Sequence, residues 1–237
     1  MATMIQTRSR VALSVRRSPV IGVVRTHSRE EAAAQARMLA ASGLELVEIT
    51  FTVPGASSLL RELLAARGSE GPPFFGLGTV TTAARAREAV EAGAEILVSP
   101  NVNAEVAKEA RRAGTFLVMG ALTPSEIVTA HELGADLVKV YPLPPVGGPA
   151  YLQVIRGPLG DIPMLAAGGF GAEEIPAYLR AGASAFNLAA PLLGVGANAG
   201  DSAGEVRRRV ARALALARGQ DPAHPEEVHE EAHEENR

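Results

Sequence analysis

Short apolar runs alternate with longer amphipathic segments along most of this chain. Between Pro19 and Arg218, each apolar run is followed by a segment rich in Ala, Arg and Glu with helical periodicity. The apolar runs predict strands at residues 20–24, 44–50, 73–80, 95–99, 116–119, 137–141, 164–167 and 183–188. The intervening segments predict helices at residues 28–43, 57–66, 82–92, 104–113, 123–133, 151–156, 172–181 and 203–218. The chain therefore repeats a strand–helix unit.

The ends of the predicted helices carry residues that start and stop helices. Ser28 is followed three positions later by a glutamate, a combination that caps a helix N-terminus. Gly93, Gly134 and Gly182 each stand just before an apolar run, where glycine ends one helix and leads into the next strand. Eight such units predict a single-domain α/β fold, the (β/α)8 TIM barrel, over residues 19–218. A doubly wound open sheet is the rival fold, but no Gly-x-Gly-x-x-Gly follows the first strand.

Composition excludes several classes of protein. The chain has no cysteine, which excludes a disulfide framework and thiolate chemistry and is compatible with the cytoplasm. It has no apolar run long enough for a membrane span, and neither a basic stripe nor an aromatic platform for nucleic acid. Residues 1–18 have no continuous apolar region of the kind found in secretory signals, so we expect them to form a loose arm or a short helix.

The net charge of −3 is distributed unevenly. Residues 219–237 contain seven acidic residues and one arginine, a net charge of −6, so the remaining residues sum to +3, which is −3 minus −6. Like charges at i,i+4 spacing and few apolar residues predict an acidic tail that is disordered or a frayed helix. His229 and His233 have a spacing that can bind a metal on a helix, but further ligands are lacking and we predict no metal site.

Residues 136–142 place a lysine inside an apolar strand. The chain has 21 arginines but only two lysines, Lys108 and Lys139 (23 − 2 = 21). Lys108 belongs to a polar helical segment, whereas Lys139 stands among apolar residues, where a charge is costly. Unlike a guanidinium, an amine can lose its proton and attack a carbonyl carbon. The structural alternative is a lysine that reaches solvent from an edge strand.

The second strand carries a carboxylate in a matching position. Because side chains alternate along a strand, Leu46, Glu48 and Thr50 share one face, and the apolar residues between them face the helices. The same alternation directs Lys139 into the barrel. An ion pair that merely fills the interior is one interpretation; the functional one is a Schiff-base lysine with a carboxylate that moves protons. Burial and a cation such as Arg25 would lower the lysine pKa, whereas Glu48 would raise it.

Other strand ends supply candidate binding residues, since a barrel builds its active site at the C-terminal ends of its strands. Arg25 follows the first strand and is suited to a carboxylate. Thr79 and Pro100 follow the third and fourth strands, in Gly76-Leu77-Gly78-Thr79 and Ser99-Pro100-Asn101. Gly168 and Gly169 end the seventh strand, where barrels often bind phosphate through loop amides and a helix N-terminus.

Five segments stand in the order and spacing of a known family. They are Val47-Glu48-Ile49-Thr50, Gly76-Leu77-Gly78-Thr79-Val80, Val98-Ser99-Pro100-Asn101, Val138-Lys139-Val140-Tyr141-Pro142 and Ala167-Gly168-Gly169. Through them the chain resembles the class I 2-keto-3-deoxy-6-phosphogluconate (KDPG) aldolase family, which includes 2-keto-4-hydroxyglutarate (KHG) aldolase and a 6-phosphogalactonate branch. The resemblance covers residues 18–195.

The resemblance implies a role for each matching residue. Lys139 would form the Schiff base with pyruvate or the keto-acid substrate, and Glu48 would be the general acid and base. Thr79 and Pro100 would contact the pyruvyl portion, and Tyr141 would pack beside the imine. The resemblance further implies a cytoplasmic homotrimer that needs no metal or other cofactor.

The predicted substrate site extends to two positions at which the chain departs from gluconate-type members. Thr52 stands where those members often carry arginine, and Ala190 lies where a Gly-Ser phosphate loop is usual. Ala167 likewise replaces the Thr or Val that often precedes Gly168. The stretches Phe51-Thr52-Val53-Pro54 and Pro100-Asn101 are more similar to the galactonate-type branch, in which an arginine after the first strand is available, as Arg25 is here.

The implied reaction is that of a carbon–carbon lyase. A 2-keto-3-deoxy (phospho)sugar acid or 4-hydroxy-2-oxoglutarate would yield pyruvate and an aldehyde, either glyceraldehyde 3-phosphate or glyoxylate. Two other classes remain open from the sequence. A phosphate-binding barrel isomerase or epimerase would use the Gly168-Gly169 loop and Glu48 without an imine, and a non-catalytic barrel would bind a keto acid as a sensor.

Overall fold

The structure, a computed structural model, describes residues 2–68, 71–189 and 202–220. Eight parallel strands close into a barrel in the order β1 to β8. The strands are β1 Val20–Val24, β2 Leu46–Thr50, β3 Phe74–Gly78, β4 Ile96–Ser99, β5 Phe116–Ala121, β6 Leu137–Val140, β7 Met164–Ala167 and β8 Ala185–Ala189. The predicted (β/α)8 barrel is therefore confirmed.

One helix precedes the first strand, and the others surround the barrel. They are α1 Ala2–Arg17, α2 Arg29–Ala41, α3 Ala56–Arg67, α4 Ala83–Glu91, α5 Ala104–Ala113, α6 Pro124–Glu132, α7 Gly148–Arg156, α8 Ile175–Arg180 and α9 Ala203–Ala217. Among the described helices, none has the length and apolar content needed to cross a bilayer. Ala190 and most of the predicted acidic tail, residues 221–237, lie outside the described residues.

The predicted helix ends explain the boundaries that the structure adopts. The Ser28 side chain accepts a hydrogen bond from the backbone N–H of Glu31 at the start of α2. The predicted helix over residues 172–181 is divided into a 3-10 turn, Ala172–Glu174, and α8. A proline occupies the first turn of α8, where a residue without an N–H is tolerated and the chain can begin a new helix.

Alternation along the strands separates two apolar cores, as predicted. One core lies between barrel and helices and contains Val47 and Val138. The other fills the barrel interior and contains Leu46 and Leu137, each next in sequence to a member of the first core. The C-terminal ends of the strands form the mouth of the barrel, and the N-terminal ends form its floor.

Helix α1 covers the floor of the barrel. The sequence predicted a loose arm or a short helix, and the structure shows a helix of 16 residues. Val11 and Val15 are buried in the same core as the barrel interior. Arg8 forms an ion pair with Asp136 at 2.8 Å, and α1 is therefore joined to the barrel by apolar packing and by charge.

Candidate active site

Lys139 lies inside the barrel on β6. Its neighbours Val138 and Val140 belong to the core between strands and helices, so the lysine side chain takes the interior face. Only 8% of Lys139 is exposed. The structure thus excludes the alternative of a lysine that reaches solvent from an edge strand, since β6 is paired on both sides in a closed barrel.

The surroundings of Lys139 favour the neutral amine. Its pKa is lowered mainly because burial removes water from the ammonium, and the nearby positive charge of Arg25 lowers it further. The negative charge of Glu48 acts in the opposite direction but does not outweigh burial. The balance that the sequence left open is therefore decided in favour of a lowered pKa. A neutral amine has the lone pair that a nucleophile needs.

Tyr141 stands at the rim above Lys139. The lysine Nζ lies 5.2 Å from the centroid of the Tyr141 ring. Tyr141 is 43% exposed and follows the last residue of β6. Its ring therefore lies between Lys139 and the solvent-exposed rim.

Glu48 occupies the interior face of β2 and is 1% exposed. Its carboxylate lies against Gly78 on β3, where a Cβ would stand 1.7 Å from Glu48 Oε1. Any side chain at Gly78 would displace the carboxylate. The Gly-x-Gly segment of β3 therefore provides the space in which Glu48 reaches across the strand.

Asn187 on β8 binds the other oxygen of Glu48, and the sequence interpretation missed it. Its Nδ2 donates a hydrogen bond to Glu48 Oε2 at 3.2 Å, with both residues buried. The available signal was a single amide in the apolar strand Ala185–Ala189, the same kind of anomaly that drew attention to Lys139. A buried polar side chain needs a partner, and here the partner is the carboxylate.

Arg25 and Thr79 meet at the mouth. Arg25 Nη2 donates to Thr79 Oγ1 at 3.4 Å. Thr79 has a positive φ of 61°, which is rare for a threonine and costs free energy. Arg85 holds this backbone through its Nη1, which donates to the Thr79 carbonyl oxygen at 3.2 Å. The strained turn directs the Thr79 hydroxyl toward the arginine that follows β1.

Pro100 reaches the mouth because β5 offers it space. A Cβ at Gly120 would stand 2.2 Å from the Pro100 carbonyl group, so only glycine permits this approach. Gly120 is the register partner of Lys139 in the β5–β6 pair. The Ser99 hydroxyl donates to the Asn101 carbonyl oxygen at 2.7 Å and fixes the turn that contains Pro100.

The remaining predicted binding residues occupy the rim. Thr52 is exposed, and its hydroxyl lies 2.7 Å from that of Thr50. Gly168 packs tightly against the segment after β6, where a Cβ would be 2.7 Å from Pro144 Cδ. Gly169 is exposed with open space around it. Ala190 lies outside the described residues.

These residues supply acid–base and nucleophilic chemistry. Lys139 is a buried amine, Glu48 a buried carboxylate in electrostatic contact with it, and Arg25 a cation at the entrance. Within the parts of the chain that the structure describes, no group of three or more His, Cys, Asp or Glu side chains could hold a metal ion.

Comparisons with known proteins agree with this chemistry. A profile of the family described as KDPG and KHG aldolase matches residues 11–199. A Rhizobium meliloti (strain 1021) protein described as "Probable 2-dehydro-3-deoxy-6-phosphogalactonate aldolase" is 30% identical over 207 residues, 87% of this chain and 94% of that protein.

Solved structures extend the comparison to the fold. A crystal structure of a protein described as a 4-hydroxy-2-oxoglutarate aldolase and 2-dehydro-3-deoxyphosphogluconate aldolase is 28% identical, with a TM-score of 0.73 over 87% of this chain and 98% of that one. A cube-shaped cage designed by fusing symmetric oligomeric domains is 26% identical, with a TM-score of 0.72 over 85% of this chain and 73% of that one. The chain belongs to the KDPG and KHG aldolase family and is an aldolase, a lyase whose family reaction yields pyruvate and an aldehyde.

Proposed function

We propose that this aldolase is of the Schiff-base type, with Lys139 as the nucleophile and Glu48 as the general acid and base. The observation that carries the proposal is the buried lysine with a lowered pKa, which faces a buried carboxylate inside the barrel. The substrates are a 2-keto-3-deoxy (phospho)sugar acid or 4-hydroxy-2-oxoglutarate. The products are pyruvate and glyceraldehyde 3-phosphate or glyoxylate.

The reaction begins at the 2-keto carbon. The Lys139 lone pair forms a bond to this carbon, and the carbonyl oxygen takes up a proton to give a carbinolamine. Loss of the hydroxyl as water leaves a protonated imine. Glu48 can supply and remove these protons, since it is the buried carboxylate that acts on Lys139. The cationic imine nitrogen then withdraws electrons from the adjacent carbon chain.

Cleavage of the C3–C4 bond follows. Glu48, or a water that it holds, takes the proton of the C4 hydroxyl, and C4 becomes the aldehyde carbon. The two electrons of the C3–C4 bond move to C2–C3 and give an enamine. Protonation of C3 and hydrolysis of the imine release pyruvate and restore the amine of Lys139.

The binding shell suits the acidic end of the substrate. Arg25 carries a positive charge at the entrance, and Thr79 offers a hydroxyl that already contacts Arg25. Together they can bind a carboxylate. Pro100 and Tyr141 would flank the pyruvyl portion, while Gly168 and Gly169 at the end of β7 would contact the distal part of the substrate with Thr52 and Ala190.

The galactonate-type sugar acid is the first substrate to test. The Rhizobium relative is described as an aldolase for 2-dehydro-3-deoxy-6-phosphogalactonate, and Arg25 follows β1 as in that branch. A pyruvate assay should compare this compound with its gluconate epimer, with both unphosphorylated acids and with 4-hydroxy-2-oxoglutarate. Pyruvate release from none of these acids would contradict the proposed function.

Borohydride trapping tests the mechanism directly. We expect pyruvate with borohydride to add an N-carboxyethyl group to Lys139, because borohydride reduces the hydrolysable imine to a stable secondary amine. The chain has two lysines, so Lys108 is an internal control that should stay unmodified. A Lys108→Arg variant should trap like the wild type, and a Lys139→Arg variant should neither trap nor cleave. An unmodified Lys139 in an enzyme that turns over would exclude the imine.

The homotrimer and the cytoplasmic location are further parts of the proposal. The family resemblance supports both, and the similarity to a designed cage of symmetric oligomeric domains supports an oligomer. Light scattering of the full chain, measured over a range of concentrations, should give the mass of three chains. A monomer or dimer mass at assay concentrations would contradict the trimer.

A further inference from the structure

The amide of Asn187 makes a buried contact with the carboxylate of Glu48. An ionised carboxylate only accepts hydrogen bonds, so the Asn187 N–H must be the donor. The donor–acceptor distance is 3.2 Å, and the two residues are 8% and 1% exposed. Since water cannot easily replace this donor in the interior, the contact fixes one oxygen of Glu48, namely Oε2.

The two oxygens of Glu48 contact different strands. Oε2 accepts the Asn187 hydrogen bond from β8, which lies on the β1 side of β2. Oε1 lies against Gly78 on β3, the neighbour of β2 on the opposite side. The two oxygens therefore have different surroundings.

We propose that Asn187 is a positioning residue that holds Oε2 of Glu48 and leaves Oε1 as the oxygen that carries the proton in the reaction. Within the described residues, Asn187 is the one hydrogen-bond donor to Glu48. The inference rests on the proposed function, because a proton shuttle beside Lys139 is required only if Lys139 forms an imine.

The step in question is proton exchange at the methyl carbon of pyruvate. In the pyruvate imine, Oε1 takes a proton from C3, so that a C–H bond breaks and an O–H bond forms. The C–H electron pair becomes the C2–C3 double bond, and the imine π electrons move to nitrogen. The reverse step returns a proton to C3. In D2O the proton on Oε1 exchanges with solvent, and the pyruvate methyl gains deuterium.

The experiment separates formation of the imine from movement of the proton. Asn187→Leu retains a side chain of similar size and removes the donor, and Asn187→Ala removes the donor together with most of the side chain. We expect deuterium incorporation into pyruvate, followed by NMR, to slow by about 10²-fold in both variants, because a small misplacement of a catalytic group has an effect of this order. The end-point extent of borohydride trapping at Lys139 and KM for pyruvate should stay near the wild-type values.

Two further variants act as controls. Gln153→Leu makes the same change of amide to apolar side chain at an exposed position of α7, outside the barrel. It should exchange at the wild-type rate. Asn187→Ser retains an O–H donor in a smaller side chain and should recover part of the lost exchange rate even if a bulkier variant fails to fold.

The outcomes distinguish the two proposals. A folded Asn187→Leu or Asn187→Ala enzyme that exchanges at the wild-type rate, or an Asn187→Ser enzyme that exchanges no faster than Asn187→Ala, would overturn the positioning role. Equal loss of trapping and exchange would also overturn it, since Asn187 would then act on the imine or on the pocket as a whole. A wild-type enzyme that neither traps nor exchanges pyruvate would instead overturn the proposed function.

Discussion

Buried charges have ion-pair partners at the floor of the barrel, whereas the buried lysine at the mouth has none among the described residues. At the floor, Arg67 Nη1 contacts both carboxylate oxygens of Glu95, at 3.0 and 2.8 Å. At the mouth, Lys139 and Glu48 affect each other through space, and no ion pair joins them in the part of the chain that the structure describes. The floor thus stabilises its charges with direct partners, whereas the mouth leaves its lysine without one.

The difference shows that the type of buried cation determines whether it remains charged in an ion pair or can lose its proton. Burial is the largest influence on both groups. It raises the pKa of Glu95 even though the Arg67 hydrogen bond opposes it, and it lowers the pKa of Lys139 although Glu48 opposes it. Arginine keeps its proton under such conditions, so the floor remains an ion pair. Lysine can release its proton, so burial at the mouth favours the neutral amine that the proposed reaction needs.

Breaking the floor pair should have the largest effect on stability. Arg67→Met leaves Glu95 buried without its partner, and the pair is only 13% and 11% exposed. We expect unfolding to become easier by about 3–5 kcal/mol, while kcat of the folded enzyme is unchanged. Urea denaturation and a pyruvate assay measure the two quantities.

An exposed pair provides the control for this change. Arg87→Met removes a partner of Glu109, but Arg87 is 49% exposed, so the change should cost only about 0–1 kcal/mol. Two results would contradict this comparison. One is an equal loss of unfolding free energy in Arg67→Met and Arg87→Met, and the other is loss of kcat in Arg67→Met.

Displacing the carboxylate at the mouth should affect activity more than stability. In Gly78→Ala the new Cβ would lie 1.7 Å from Oε1 of Glu48, so the carboxylate must move. We expect kcat to fall by about 10²-fold, a loss typical of a misplaced catalytic group. Gly171→Ala is the matched control, because no atom lies within 4 Å of its Cβ and its φ of −90° is ordinary. Full activity in Gly78→Ala would show that the reaction does not depend on this position of the Glu48 carboxylate.

Replacing Lys139 with an apolar residue should raise the free energy of unfolding. Because the pKa of Lys139 in the folded state is below its ordinary value of 10.5, protonation is disfavoured by folding. The wild-type enzyme therefore gains stability as pH rises from the folded pKa to 10.5, and Lys139→Met does not. We expect Lys139→Met to be more stable by about 0.5–2 kcal/mol at low and neutral pH, with an advantage that shrinks toward pH 10.5.

Paired denaturation curves at several pH values test this smallest effect. Lys108→Met changes an exposed lysine and should shift stability by no more than about 0.5 kcal/mol at any of these pH values. A Lys139→Met enzyme that is less stable than the wild type at neutral pH would mean that the attraction of Glu48 outweighs the cost of burial.

The sequence was sufficient for the parts of the site that follow from local pattern. Alternation along β2 and β6 placed Glu48 and Lys139 on the interior face, because apolar neighbours must face the helices. Glycine and cap residues located the helix ends. These inferences need only a few consecutive residues, and a closed barrel converts them into positions at one end of the fold.

Contacts between distant segments cannot be predicted from the local sequence pattern. Asn187 and Glu48 are 139 positions apart, and nothing in either strand identifies the other as its partner. The close approach of Pro100 to Gly120 and the positive φ of Thr79 likewise arise from packing between neighbouring strands and loops. The extent of α1 was also missed, because its apolar stripe gains a partner only once the barrel has closed.

The position of α1 has a consequence for the order in which the molecule folds. Arg8 binds Asp136, which follows it by 128 positions, and the Arg17 carbonyl accepts a hydrogen bond from Arg218, 201 positions later. During synthesis, α1 therefore emerges long before its partners exist. Contacts of such long range form slowly, since a large loop must close first. We therefore expect the docking of α1 to be completed only once the barrel has closed.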